Sequence, residues 1–238
     1  MINRIFSIDN PKAIKAQAYG WLNAMHYMAP HSLANVGNLC PHASAGCVAL
    51  CLGTHSGAAT YYPSVIKSRI AKAQRFMRDR KAYLRDMVRA IGSAQRQAAS
   101  AGLKLCVRPN GSTDIAWEAI RDCDGLTLCE RFPSVQFTDY TKSVKRALAH
   151  AQGKLPANVH LTFSRSETNE ADCVRVLQAG GNVAAVFANG LPETYLGFPV
   201  ISGDDHDLRH LDPRGVVVGL TPKGPTARRD TSGFVVRL

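Results

Sequence analysis

Cys40, Cys47 and Cys51 lie inside the stretch Asn38-Leu-Cys-Pro-His-Ala-Ser-Ala-Gly-Cys-Val-Ala-Leu-Cys-Leu-Gly53. Their spacing, Cys-x6-Cys-x3-Cys, puts three thiols within twelve residues of a segment that proline and glycine allow to curl around a metal centre. Three thiolates are one short of the set that closes a tetrahedral zinc site. They suit a [4Fe-4S] cluster that keeps one iron open for chemistry. Zinc stays open as an alternative, with His42 or His55 as the fourth donor of a Cys3His site. The third reading is metal-free thiols, since free cysteine often packs as a small hydrophobe. That describes the isolated Cys106, Cys123, Cys129 and Cys173 better than the first three, which sit among Pro, His, Ser and Gly.

The other residues able to do chemistry collect where short apolar runs give way to polar turns. The run 103–108 predicts a strand that enters Pro109-Asn-Gly-Ser-Thr-Asp114, followed by a helix over 115–121. A strand over 134–138 enters Asp139-Tyr-Thr-Lys142, followed by a helix over 143–152. A strand over 159–163 enters Ser164-Arg-Ser-Glu-Thr168, followed by a helix over 169–179 that Gly180 and Gly181 stop. Further strands are expected at 182–187, 199–202 and 215–220. Strands alternating with helices imply βαβ units and a mostly parallel sheet. Right-handed crossovers then bring the strand C-termini to one edge, where barrels and open α/β sheets alike build their sites.

That edge collects the candidate catalytic residues Arg108, Asn110, Asp114, Asp139, Lys142 and Ser164, able to anchor a small-molecule substrate or move protons. Asn110 and Ser112 are the candidate cofactor-binding residues, and the same turn could equally be a tight bend with a helix cap. Gly203-Asp-Asp-His-Asp-Leu-Arg209 would suit a hard cation, but reads better as a hydrogen-bonded loop. The expected fold is α/β: an incomplete or irregular TIM-barrel-like parallel sheet first, an open doubly wound sheet second. The cysteine loop comes before any evident strand and should sit over the strand C-termini.

The chain of 238 residues has no low-complexity linker and no internal repeat, so one domain over 1–238 is expected, with a cysteine loop and basic helices in 1–100 and strand/helix units in 101–238. The formal charge of +11 is uneven. From Lys67 to Arg96 there are ten lysines and arginines against Asp79 and Asp86, interleaved with apolar residues at threes and fours. This predicts two amphipathic helices broken near Asp79–Lys81, with a basic face that is either solvated or a nucleic-acid surface. No nucleotide-binding glycine loop or hydrolase elbow is present. No apolar run has the length of a membrane span, and Met1–Asp9 lacks the core of a secretory leader. An odd count of seven cysteines in such a chain points to reduced thiols and a cytoplasmic protein.

Laid side by side, Tyr27-Met-Ala-Pro30, the Asn38–Leu52 cysteine segment, Arg108–Asp114, Asp139–Lys142, His160–Ser164, Gly203–Arg209 and Gly219–Gly224 resemble a family of bacteriophage and prophage proteins labelled gene-product-88-like. The likeness covers nearly the whole chain and implies a phage origin, in a host cytoplasm, without naming a reaction. A second, weaker resemblance is to radical S-adenosylmethionine enzymes, which hold a [4Fe-4S] cluster on three cysteines at the open end of a partial barrel. It implies Cys40, Cys47 and Cys51 as ligands, Asn110–Asp114 in place of the cofactor-binding turn, and S-adenosylmethionine as cofactor. The cysteine spacing here is wider than the Cys-x3-Cys-x2-Cys of those enzymes, and Leu50 stands where they carry an aromatic residue.

Overall fold

The computed structural model describes residues 4–55 and 58–238. The first three residues of the segment searched for a leader lie outside the described residues. The chain opens with β1 (Phe6–Ser7), α1 (Pro11–Gln17) and β2 (Trp21–His26), and then leaves the sheet for the cysteine loop. That loop carries α2 (Ala45–Ala49), α3 (Leu52–His55) and α4 (Ala58–Tyr61). Two long helices follow, α5 (Pro63–Arg78) and α6 (Arg80–Ser100), separated at Asp79, whose carboxylate caps α6 by accepting the Ala82 N–H at 2.9 Å.

Alternating elements complete the chain: β3 (Lys104–Arg108), α7 (Leu128–Arg131), β4 (Gln136–Thr141), α8 (Val144–Ala151), β5 (Val159–Ser164), α9 (Glu170–Gln178) and β6 (Asn182–Phe187). Last come β7 (Thr194–Tyr195), β8 (Phe198–Ser202), β9 (Val217–Leu220), α10 (Gly224–Arg228) and β10 (Val235–Val236). The sheet order is β1-β2-β3-β4-β5-β6-β9-β8-β7, with β10 beside the end of β6. From β2 to β8 neighbouring strands are parallel, while β1 and β7 are short antiparallel edges.

Register shows which side chains share a face. Leu22 pairs with Leu105, Val107 with Phe137, and Phe163 with Val183, all on the side where the helices pack. There α6 contributes Tyr83, Leu84, Met87 and Ile91 to a core with β2 to β5. Ala147 of α8 and Cys173, Val176 and Leu177 of α9 build a second core with Phe163, Val183 and Val217. Each large apolar side chain buried this way stabilises the fold by about 1.5–3 kcal/mol. α6, α8 and α9 thus pack on one face of a mostly parallel sheet whose strand order is open.

The opposite face is covered by α1 and by the segment 203–212. Ala16, Cys106 and Leu208 pack together there against Trp21. The His206 ring meets Tyr19 and the His210 ring meets Trp21, each with centroids 4.5 Å apart. The loop after β8 thereby reaches back to the β2 edge.

Two expectations are corrected. A parallel strand, β2, precedes the cysteine loop, and residues 115–121 form only a 3-10 turn at Trp117–Ala119 instead of a helix. No helix among the described residues is long and apolar enough to cross a membrane.

Candidate functional site

The cysteine loop is tied to the strand ends by short polar links. The Asp114 N–H, in the turn after β3, donates to Leu39 O at 2.9 Å. Ser44 caps α2, accepting the Cys47 N–H at 3.2 Å and donating its hydroxyl to Glu167 at 2.8 Å. The Gly46 N–H donates to the other Glu167 oxygen at 2.7 Å. A Cβ on Gly46 would lie 2.8 Å from that carboxylate and from Ser232 Oγ, so a larger residue would push the Glu167 side chain aside. Glu167, just beyond β5, is therefore the clamp that holds the helix carrying Cys47. Arg69 secures the far end of the loop through Gly53 O while stacking on the Tyr27 ring, 4.8 Å from its centroid.

These links close a cavity of about 250 Å³ at the C-terminal ends of the strands. Cys40, Cys47 and Cys51 line it together with Arg108, Ser112, Asp114, Tyr140, Lys142, Ser164 and Asp207. The thiols and the polar strand ends thus share one space. Apolar walls come from Leu50, Val186, Leu220 and Phe234.

Burial pushes the Cys40 thiol up to about 12, against the His31 N–H that donates to its sulphur at 3.2 Å, and the Cys51 and Cys47 sulphurs push it further the same way. Burial also raises Cys47, opposed by Lys142, and raises Cys51, opposed by hydrogen bonds at Gly53 and Thr54. Without a metal these thiols are protonated at neutral pH, and a metal centre that takes their protons would convert them to ligands. Among the described residues no group of three or more His, Cys, Asp or Glu converges as a metal-ion site. That holds for the three cysteines alone as it does for the three with His42 or His55. The three thiols line one cavity, and the His31 N–H donates to the Cys40 sulphur; thiols of this kind are the donors that both zinc and iron–sulphur centres use.

The residues read from the sequence divide into two groups. Lys142 and Arg108 face the cavity. The Lys142 ammonium donates to Ser164 Oγ at 2.7 Å and to the carbonyls of Ser164 and Arg165 at 3.4 and 3.3 Å, and it lies 5.0 Å from the Phe234 ring. Burial lowers its pKa, partly offset by Cys47, Asp114 and Glu167. Arg108 lies over the Tyr140 ring, 4.6 Å from its centroid, and pairs with Asp207 at 3.3 Å. Its Nε is buried without a hydrogen-bond partner among the described residues.

Asn110 and Asp139 are spent inside the fold, and Ser112 and Asp114 line the cavity but are already held by protein partners. The Asn110 amide donates to Ile115 O and Asp139, and its oxygen accepts from Thr113, the Ile115 N–H and the Trp117 indole. Ser112 donates to Met28 O at 2.6 Å. Gly111 is required in this turn, since a Cβ would fall 2.6 Å from the Tyr27 ring and 2.7 Å from His26 O.

Asp114 accepts from Arg146 at 2.5 Å and from the Lys142 N–H at 2.9 Å, and Arg146 also grips Glu118 at 2.6 and 2.9 Å. Asp139 points to the helix-covered face, not the cavity. Burial lifts its carboxyl to about 7 despite Arg108 and Arg146.

The Gly203–Arg209 segment is a hydrogen-bonded loop. Asp204 accepts from the Thr221 hydroxyl and from Lys223, both at 2.8 Å, and the Arg209 guanidinium donates to His206 O at 2.5 Å. Its Asp207 was not among the site residues expected from the sequence. Neither was Glu167 as a clamp, nor Phe234 as a wall. Their partners, Arg108, Gly46 and Lys142, lie far away along the chain, so local spacing carries no sign of them.

The family described as gene product 88 matches residues 4–238. The chain belongs to that family. No curated protein and no solved structure matches it.

Proposed function

We propose that this family member is a phage-type iron–sulphur protein. Cys40, Cys47 and Cys51 hold a [4Fe-4S] cluster, and a small molecule binds beside it in the cavity at the strand ends. The observation that carries this reading is the shared cavity: the three clustered thiols and the polar strand ends line one space. Coordination from α2 and its flanks positions the ligands, and Glu167 keeps Cys47 facing inward. When bound, a cluster with three protein thiolates supplies electrons and an open iron.

The chain's own groups select what sits next to it. Among the described residues the Lys142 ammonium donates to neutral acceptors, and the Arg108 guanidinium lines the same cavity. Both favour a ligand bearing a carboxylate or a similar anionic group. Leu50, Val186, Leu220 and Phe234 favour an apolar body and exclude water. S-adenosylmethionine, with its carboxylate at one end, is the first co-reactant to test. The activity proposed is that of a cluster-dependent enzyme.

The test is purification without oxygen, followed by iron, sulphide and zinc analysis and a visible spectrum. Iron and sulphide with broad absorption near about 400 nm are expected. Stoichiometric zinc without that band would establish the zinc alternative instead. Reductive cleavage of S-adenosylmethionine by the reduced protein then reports whether the cavity takes that co-reactant.

A further inference from the structure

We propose that the outward face of α6 binds the phosphate backbone of duplex nucleic acid, independently of the cysteine cavity. The helix buries Tyr83, Leu84, Met87, Ile91, Ala94 and Ala98 against the sheet. On the side turned away stand Lys81, Arg85, Arg89 and Arg96, all exposed. At the pitch of an α-helix these four fall within an arc of about 80° and along about 22 Å. They form one straight row. The one acid on α6, Asp86, lies off this arc; Arg75 holds it, and its 3.4 Å contact with Arg89 leaves that side chain 78% exposed.

The alternative, a merely solvated basic face, explains isolated cations better than an acid-free row. The ten cations between Lys67 and Arg96 are in fact sorted by the fold. Arg69, Lys72 and Arg75 turn inward to Gly53 O, Ile5 O and Asp86, while the other seven stay exposed. A duplex presents one phosphate charge about every 1.7 Å of its axis, which suits such a row. None of the exposed large apolar or aromatic side chains lies on α6, so this face lacks the stacking platform that single strands require. The face carries no base-reading constellation, and sequence-independent binding follows. Because α6 packs on the helix side of β2 and β3, a bound duplex leaves the strand-end cavity free.

The experiment is a fluorescence-anisotropy titration of a labelled DNA duplex of about twenty base pairs at several salt concentrations, with a single strand of the same length in parallel. For four phosphate contacts, log K should fall against log salt with a slope of about −3.6. The variant K81Q/R85Q/R89Q/R96Q should flatten the slope towards zero, and K81E/R85E should remove about half of it. The variant K145Q/K154Q/R228Q/R229Q, which removes four exposed cations elsewhere, should keep the wild-type slope. Absence of salt-dependent binding, preference for the single strand, or equal losses in the stripe and control variants would overturn the proposal.

Discussion

Replacing Glu167 with Ala should free α2 from the strand ends while leaving the rest of the fold intact. The carboxylate accepts two hydrogen bonds, from Ser44 Oγ at 2.8 Å and from the Gly46 N–H at 2.7 Å. Hydrogen bonds to a charged group contribute about 1.5–3 kcal/mol each when buried. Here the carboxylate is half-buried and solvent can replace it, so about 2 kcal/mol for the pair is the reasonable figure. A five-residue helix cannot hold itself without such support. Amide exchange of Gly46 and Cys47 in metal-free protein should therefore quicken by about 30-fold, with little change in the global unfolding midpoint. Glu167→Gln, which keeps an acceptor oxygen, should give roughly half the free-energy change.

The pH dependence follows from the same contacts. Burial pushes the Glu167 carboxyl up, but the Gly46 and Ser44 hydrogen bonds and the nearby Lys142 outweigh it and hold the group below its ordinary 4.5. Protection of α2 should be constant above that value and fade as pH falls through the lower folded one. Unchanged exchange in the Ala variant, or a loss of stability spread over the whole domain, would refute the clamp.

Three further outcomes are expected. Cys47→Ser should abolish cluster assembly, because two thiolates remain, whereas Cys173→Ser should keep full iron. The latter serine finds Asn169 Oδ1 where the sulphur now sits 3.6 Å away, at a cost of about 1 kcal/mol, and metal analysis of both variants decides the ligand set. Asp139 holds its proton in the folded state up to about 7, so its contribution to stability falls as pH rises from the ordinary 3.8 to about 7; Asp139→Asn should flatten that part of a denaturation-versus-pH curve, and an unaltered curve would refute the assignment. Gly111→Ala should cost about 3 kcal/mol in urea unfolding, since the added methyl meets the Tyr27 ring and the His26 carbonyl; a loss under about 1 kcal/mol would contradict the packing described.

What could be read in advance was whatever is local in the chain. The cysteine spacing, the strand runs ending in polar turns and the break at Asp79 each express their physics within a few residues. Residues 21–26 escaped because Trp-Leu-Asn-Ala-Met-His is nearly all buried, with Asn23 and His26 breaking any alternation. Residues 115–121 resembled a helix by composition, yet the Asn110 side chain captures the Ile115 N–H and C=O and forces a tight turn. Asp139 looked available from its place at a strand end, but strand parity points it towards the helices. Glu167, Asp207 and Phe234 act through partners that only the folded sheet brings close.

The cavity wall also sets an order of events in the cell. Phe234 and Val235 line the same space as Cys40, and β10 docks beside β6 only when Val236 has been made. The three thiols therefore leave the ribosome long before their enclosure exists, waiting on the order of ten seconds or more at ordinary elongation rates. During that interval they are open to oxidants and to whichever soft metal is nearest.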